Sequence, residues 1–195
     1  MCSSDLVIDG SRVTAIFTRP NTFQRVKLRT ERSDFSYGEY EWRVYVPAVP
    51  EREAISIGAF LYQDDAHELD FEFGYGKAAD REAVGADQPD EIVCFMAAHR
   101  GPVLGKRYHR TKIVTDRWHV FRMEIARIPG SDFVVSWYID DQLVYSVDPG
   151  FDPATRFCSM ISVEHLEWIG DAYPPKQGGT AYFDSFRYTP ARATW

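Results

Sequence analysis

The sequence lacks several features that would point to common protein classes. It contains only three cysteines in 195 residues, Cys2, Cys94 and Cys158, and their spacing fits no zinc-binding pattern. We expect Cys94 and Cys158 to be buried thiols, although a disulfide bond between them stays open. No hydrophobic run is long enough to span a membrane. Lys and Arg number 22 against 29 Asp and Glu, so the net charge of −7 disfavours nucleic acid or an anionic membrane as a partner.

Convincing amphipathic helices are also missing, whereas aromatic residues reach 15% and favour strands. Short alternating segments recur with turn signals between them, which predicts one all-β domain, a sandwich of two antiparallel sheets over residues 1–195. Residues 1–12 are expected to be a loose lead-in, and 77–90 a long loop with at most a helical turn. The predicted strands are 13–17, 24–30, 36–47, 55–63, 67–76, 91–101, 117–127, 132–140, 142–147, 157–166 and 181–190.

The most informative segment is HELDFEFGYG, residues 67–76. Glu68, Asp70 and Glu72 alternate with apolar residues, so a strand here would carry three carboxylates on one face with no cation between them. Taken alone, such a row is most often a solvated strand face or a weak cation site. A chemical alternative is glycoside hydrolysis with retention, which needs one ionised and one protonated carboxyl about 5 Å apart. Residues i and i+4 lie roughly 13 Å apart along a strand, so curvature would have to bring the two Glu carboxyls together.

Several ordered segments resemble the family 16 glycoside hydrolases. HELDFEFG resembles the Glu-Leu/Ile-Asp-Ile/Phe-Glu active-site strand of that family. Further blocks resemble the family's segments in the same order; they lie at 28–47, 55–62, 117–125, 134–147, 167–175 and 181–188. The resemblance implies a β-jelly-roll of two curved antiparallel sheets, the fold of concanavalin-like lectins and glucanases. It also makes a secreted or cell-surface location an expectation, although the sequence as given shows no signal peptide and does not decide the compartment.

The resemblance also implies catalytic roles. Glu68 matches the nucleophile, Asp70 its assisting carboxylate and Glu72 the general acid/base. The two Glu lie four residues apart, as in lichenase-like and xyloglucan-active members with a regular strand, whereas laminarinase-like members usually carry a bulge with one extra residue.

Four other residues match family positions, and each has an ordinary alternative. Arg29 matches an arginine that binds sugar hydroxyls, but it could instead pair with a surface acid. Trp168 matches a cleft-wall aromatic or is a core residue, and His99 resembles a histidine beside the carboxylates or is a satisfied buried histidine. Asp184 matches a structural calcium position on the convex side or bonds a turn backbone. Trp42, Trp118 and Trp137 are expected in the core.

Some positions depart from the lichenase pattern. Ala66 and His67 stand where lichenases carry Trp and Asp before the nucleophile, and Met96 and Ala98 stand where their next strand offers Asn and Tyr to the cleft. The sequence therefore predicts an endo-acting, retaining β-glycan hydrolase, similar to β-1,3/1,4-glucanases but with altered sugar subsites. It would act on a polysaccharide as a monomer, without a cofactor for catalysis. The alternatives are a non-catalytic carbohydrate-binding domain on the same fold, and a lectin that uses the acids to bind calcium.

Overall fold

The computed structural model describes residues 13–101 and 106–191, and the expected lead-in at 1–12 lies outside them. Twelve strands and one short α-helix are present in this part of the chain. The strands are β1 (Thr14–Phe17), β2 (Arg25–Arg29), β3 (Gly38–Val46), β4 (Ile55–Asp64), β5 (His67–Gly74), β6 (Glu91–His99), β7 (Lys106–Val114), β8 (Arg117–Ile128), β9 (Ser131–Ile139), β10 (Gln142–Val147), β11 (Cys158–His165) and β12 (Thr180–Pro190). The α-helix is α1 (Ala78–Val84), and a 3-10 turn covers Glu167–Ile169.

The strands form two six-stranded antiparallel sheets that pack face to face. We call the sheet with the order β1-β12-β3-β8-β9-β10 the back sheet. The front sheet has the order β2-β11-β4-β5-β6-β7, which places β5 near its middle. This arrangement confirms the predicted all-β jelly-roll sandwich.

Alternating side chains of both sheets build one core between them. In β3, Tyr40 and Trp42 face inward and are fully buried, and in β5 Phe71 and Phe73 do the same. Phe73 stacks on Phe121 of the back sheet with ring centroids 4.6 Å apart. Since burying an aromatic or aliphatic side chain contributes about 1.5–3 kcal/mol, this layer fixes which face of β5 points outward.

The strand next to β5 is buried on both faces, as its nearly continuous apolar sequence predicted. Residues 55–61 of β4 are all buried. Its inward side chains join the core, while Phe60 packs on the outer face against Cys158 and Met160 of β11. Cys94 and Cys158 are both buried and are not joined by a disulfide bond, as expected.

Two features differ from the sequence-based expectations. Strand β7 was not predicted, because it carries charge on both faces, Arg107 on one and Arg110 and Lys112 on the other, and so lacks a clear alternation of apolar and polar residues. Charged residues are common on edge strands, where they discourage pairing with other chains. Trp118 was predicted to be in the core, which is wrong. It is only partly buried, on the outer face of the back sheet, where the Arg43 guanidinium lies 4.2 Å from its ring centroid. In the described part of the chain, no helix has the length and apolar character needed to cross a membrane.

Candidate active site

Strand β5 presents its three acidic side chains on the outer face of the front sheet. Its pairing with β6 runs without interruption from Glu68 opposite His99 to Glu72 opposite Phe95, and its pairing with β4 is equally regular over these residues. No bulge therefore separates the two Glu, in agreement with the spacing of the sequence motif. Since Leu69, Phe71 and Phe73 anchor the other face in the core, Glu68, Asp70 and Glu72 must share the outer one.

A cleft of about 200 Å³ lies over this part of the front sheet. Asp70 and Glu72 lie in its lining beside the aromatic rings of Phe95 and Trp168. The other lining residues belong to α1, β6 and β7: Asp80, Ala97, His99, Tyr108 and Arg110. Glu68 lies at the opposite end of the acidic row, next to His99 on the neighbouring strand.

Asp70 is the most constrained of the three acids. Its side chain is 4% exposed, and one carboxylate oxygen lies 2.7 Å from Nε2 of His99. Its backbone carbonyl accepts a hydrogen bond of 3.0 Å from the indole N–H of Trp137, which reaches across the core from β9 of the back sheet. Trp137 is therefore a core residue, as predicted, and it also anchors the centre of the acidic row. The hydrogen bond itself could not be read from the sequence.

Burial raises the pKa of both Glu side chains. The pKa of Glu68 rises from 4.5 to about 8, first because the side chain is desolvated and second because Asp70 is negatively charged. Positive charge on His99 and Lys27 opposes this rise. The pKa of Glu72 also rises to about 8, through desolvation and then through the charges of Asp70 and Glu164. The pair therefore keeps protons at a pH where exposed carboxyls are ionised.

Glu164 is a fourth carboxylate near the site that sequence reasoning did not single out. It belongs to β11 and is 2% exposed. Lys27 on β2 lies 3.1 Å from one of its oxygens, and Arg25 approaches the other at 4.0 Å. Glu164 pairs with Ser56 of β4, which points to the outer face, so Glu164 lies on that face too. The sequence alone does not give this pairing.

Trp168 lies on the cleft wall, the location that the resemblance implied. Its side chain is held in the 3-10 turn and is 38% exposed. The ring meets Phe95 edge to face, with centroids 5.0 Å apart and an angle of 82° between the planes. An aromatic wall of this kind can stack against the apolar face of a sugar ring. That Trp168 contacts a sugar stays a prediction.

Arg29 faces the same side of the front sheet but does not line the cleft. It lies on the edge strand β2, opposite Met160, in a row that continues through Phe60 to Asp70. Three strand spacings separate it from β5, which is about 14 Å. A contact between Arg29 and sugar hydroxyls is therefore possible only at a distant part of an extended ligand, and its predicted role stays a prediction.

Asp184 lies far from this site, on the outer side of the back sheet. It is the extra residue of a β-bulge in β12, and its carboxylate pairs with the Arg43 guanidinium at 2.8 Å. A guanidinium on the carboxylate does not fit a second cation at the same place. Among the described residues, the one group of three acidic, His or Cys side chains with donor atoms close together is Glu68, Asp70 and His99, within 4.8 Å. The structural calcium stays a prediction.

Five residues that line the cleft escaped the sequence analysis: Asp80, Phe95, Ala97, Tyr108 and Arg110. Phe95 belongs to β6, and counting back in steps of two from His99 would have placed it on the cleft face. Tyr108 and Arg110 lie on the unpredicted strand β7. Asp80 lies on α1, where it pairs with Arg110. The sequence carries no local signal for that pairing, because α1 and β7 are brought together only by the tertiary fold.

Comparisons with known proteins bear on the fold. No protein-family model and no curated protein matches the sequence. Among solved structures, a Bacteroides ovatus mixed linkage glucan family 16 glycoside hydrolase in complex with a G4G4G3G product is similar. Its TM-score is 0.59 at 11% identity, with 93% of this chain and 83% of that chain covered.

Two further solved structures extend this likeness. The catalytic domain of an endo-1,3-β-glucanase (laminarinase) from Thermotoga petrophila has a TM-score of 0.58 at 16% identity, covering 87% of this chain and 69% of that one. A Bacillus licheniformis β-glucanase has a TM-score of 0.57 at 15% identity and covers 92% of both chains. The chain therefore has the jelly-roll fold of the family 16 glycoside hydrolases, as its ordered sequence blocks predicted.

Proposed function

We propose that the protein is an endo-acting glycoside hydrolase that cuts β-linked glycans with retention of configuration. The observation that supports this most strongly is the regular acidic row of β5, which lies beside a cleft with an aromatic wall. Binding alone does not need like charges side by side, whereas a double displacement needs two carboxyls with different proton occupancy. The cleft lies on the outer face of the front sheet, and we infer that a long chain is held there at an internal linkage.

In this mechanism Glu68 acts as the nucleophile and Glu72 as the acid and base. The Glu68 carboxylate attacks the anomeric carbon while Glu72 gives its proton to the departing glycosidic oxygen, which leaves a glycosyl ester on Glu68. Glu72, now ionised, removes a proton from an incoming water. That water attacks the same carbon, the ester bond breaks, and both side chains return to their starting state.

Asp70 controls where the protons reside. Its charge disfavours ionisation of both neighbouring Glu side chains, so at neutral pH the row holds fewer than three negative charges. The His99 imidazole, with Nε2 2.7 Å from an Asp70 carboxylate oxygen, gives Asp70 a close polar partner. This leaves one Glu free to ionise and attack while the other retains the proton that the leaving group needs.

The substrate class is proposed to be β-glucan or a related polysaccharide, and the active unit a monomer. The similar solved structures include an endo-1,3-β-glucanase and a mixed linkage glucan enzyme, which makes these polymers the first to test. All three proposed catalytic groups come from one strand of one chain, so the mechanism needs no residue from a second copy.

Release of reducing ends from a panel of soluble β-glucans tests this proposal. We expect fragments of intermediate length, and proton NMR of the first products should show the β-anomer before mutarotation. Initial release of the α-anomer would contradict the retaining mechanism. Absence of cleavage on every polymer, across a range of pH, would contradict the enzyme itself.

A non-catalytic glycan-binding domain is the second candidate, and one observation favours it. The same burial that raises the pKa of Glu72 also raises that of Glu68, and a protonated Glu68 cannot attack. Affinity for a glucan without any release of reducing ends, including at pH 8–9 where Glu68 ionises, would support this candidate. A chelator titration separates both from a calcium-dependent lectin, whose ligand binding should be lost.

A further inference from the structure

Trp137 supplies a hydrogen bond to the strand of the acidic row from the opposite sheet. Its indole Nε1–H donates to the backbone carbonyl of Asp70 at 3.0 Å, and the bond crosses the core from β9 to β5. Asp70 is the middle residue of the row, with Glu68 and Glu72 two residues away on either side. This tether therefore meets β5 midway between the two proposed catalytic groups, from the face opposite to theirs.

The packing around Trp137 fixes the direction in which its N–H points. The side chain is fully buried. Its ring stacks on Tyr145 of the neighbouring strand β10, with centroids 5.4 Å apart and an angle of 28° between the planes. Tyr145 in turn stacks on His109 of β7, at 5.4 Å and 18°. A ring packed in this way cannot easily turn its donor elsewhere, and a buried N–H is costly without an acceptor.

The point at which the tether meets β5 matters because of the shape that the acidic row needs. Residues i and i+4 of a flat strand lie roughly 13 Å apart. Two carboxyls that act on one glycosidic bond with retention are only about 5–5.5 Å apart. The proposed mechanism therefore needs an outer face of β5 that is concave at its centre. A donor fixed in the back sheet that holds the central carbonyl towards the core acts in the direction that favours this concavity.

We propose that Trp137 is a positioning residue whose indole N–H holds the centre of β5 towards the core, so that Glu68 and Glu72 lean towards the same glycosidic bond. The inference rests on the proposed function, in which these two side chains act together. Trp137 lies in the core and acts only through the backbone of Asp70. Since misplacing reacting groups by about 1 Å can cost on the order of 10²-fold in rate, a small relaxation of the strand centre should be visible in kcat.

Trp42 makes an equivalent hydrogen bond that ends elsewhere on the front sheet. It also lies in the back sheet and is fully buried, and its indole N–H donates to the hydroxyl of Ser159 on β11 at the same distance of 3.0 Å. Ser159 pairs with Leu61 of β4, and Leu61 pairs with Leu69 of β5. This second tether therefore ends two strands away from the acidic row, which makes Trp42 a matched control for Trp137.

The substitutions Trp137→Phe and Trp42→Phe test the inference, because each removes one indole donor and keeps an aromatic ring in the core. Trp137→Phe should lower kcat on a responsive β-glucan about tenfold with little change in KM, since the cleft that binds the polymer keeps its lining. It should also shift the carbon-13 NMR signals of the Glu68 and Glu72 carboxyls. Trp42→Phe should lower the urea midpoint of unfolding to a similar extent, but leave kcat within about twofold of the parent and these carboxyl signals in place.

A second variant of Trp137 separates loss of the donor from loss of packing. Site-specific replacement by β-(benzothiophen-3-yl)alanine puts a sulfur atom in the position of the indole N–H, which keeps the shape of the ring and removes the donor. This variant should show the same fall in kcat and the same carboxyl shifts as Trp137→Phe, with a smaller loss in the unfolding midpoint.

The outcomes separate this inference from the proposed function. If Trp137→Phe and Trp42→Phe lower kcat equally, or if the sulfur analogue keeps the parent kcat in a protein that Glu72→Gln inactivates, the hydrolase stands and the positioning role is overturned. In a protein that cleaves nothing, carboxyl shifts confined to the Trp137 variants would support the positioning of the acidic row and refute the catalytic proposal. Absence of those shifts would overturn the inference whatever the activity.

Discussion

The outer faces of the two sheets use acidic residues in opposite ways. On the back sheet, β3 carries acids at alternate outer positions, and each is paired with an arginine on a neighbouring strand. Glu39 lies 3.0 Å from Arg122 of β8, and Glu41 lies 2.7 Å from Arg187 of β12. These exposed pairs contribute little to stability, but they give each of the two β3 acids a cationic partner.

On the front sheet, β5 has the same alternating pattern of acids, but its Glu side chains are buried close to another acid. Glu68 and Glu72 lie on either side of Asp70, and both have raised pKa values because they are desolvated and close to another acid. Two strands with nearly the same acidic spacing therefore differ in what the neighbouring strands supply. Alternation therefore locates acids on one face of a strand, whereas a lack of cationic partners marks that face as a candidate site for chemistry.

The largest expected difference between the two sheets is in catalysis. Glu68→Gln and Glu72→Gln should each lower kcat on a responsive β-glucan by about 10³-fold or more, because each removes an obligatory nucleophile or proton donor. Glu41→Gln, a matched change on the back sheet, should leave kcat within about twofold of the parent. Near-parent turnover in either front-sheet variant would show that its catalytic role is wrongly assigned.

The pH dependence of activity sharpens the same comparison. Activity should rise as the first Glu of the pair ionises and fall as the second loses its proton, and both steps are displaced upward from 4.5 towards about 8. A bell-shaped profile of kcat/KM centred near pH 8 is therefore expected, measured from pH 4 to 10 at constant ionic strength. A maximum at pH 5 would mean that the pair is better solvated than its burial implies.

A smaller effect is expected on stability. The folded-state pKa of Glu72 lies above its unfolded value, so its contribution is fully present below about pH 4.5 and is lost as the pH rises through about 8. Glu72→Gln stays neutral throughout, and it should raise the free energy of unfolding at pH 9 by about 1–2 kcal/mol relative to the parent, but much less at pH 4. Urea unfolding at the two pH values measures this.

Glu41→Gln again serves as the control for stability. Its loss of an exposed ion pair should cost less than about 1 kcal/mol at either pH. If Glu72→Gln were no more stabilising at pH 9 than at pH 4, the raised pKa of Glu72 would be refuted.

Most of the fold could be predicted from the sequence, because apolar and polar residues alternate clearly along a strand wherever one of its faces is buried. Local patterns alone located β3, β4 and β5 and the outward direction of the acidic row. Strand β7 failed because its exposed edge position allows charges on both faces, which removes the alternation that marks a strand. The prediction for Trp118 was wrong because the alternation along β8 places it on the outer face, next to the buried His119, although large aromatic residues usually lie in the core.

The candidate site was less predictable than the fold. The three acids and the locations of His99 and Trp168 follow from sequence, but Glu164, Arg110 and the indole of Trp137 do not. These contacts join residues far apart in the chain, and they depend on strand order and register, which single-sequence periodicity does not encode. The raised pKa values depend on the same information, because desolvation is a property of the packed sheet.

The regular pairing of β5 limits how this region can evolve. Loss of one codon between Leu69 and Phe71, or gain of one that no β-bulge absorbs, would reverse the phase of the alternation and turn Glu72 towards the hydrophobic interior and an aromatic ring towards the cleft. Mutational change along this stretch is thus confined to substitution, or to an insertion that a bulge absorbs. New specificities in descendants of this chain should therefore arise from residues around the cleft, while the strand that carries the three acids keeps its length and register.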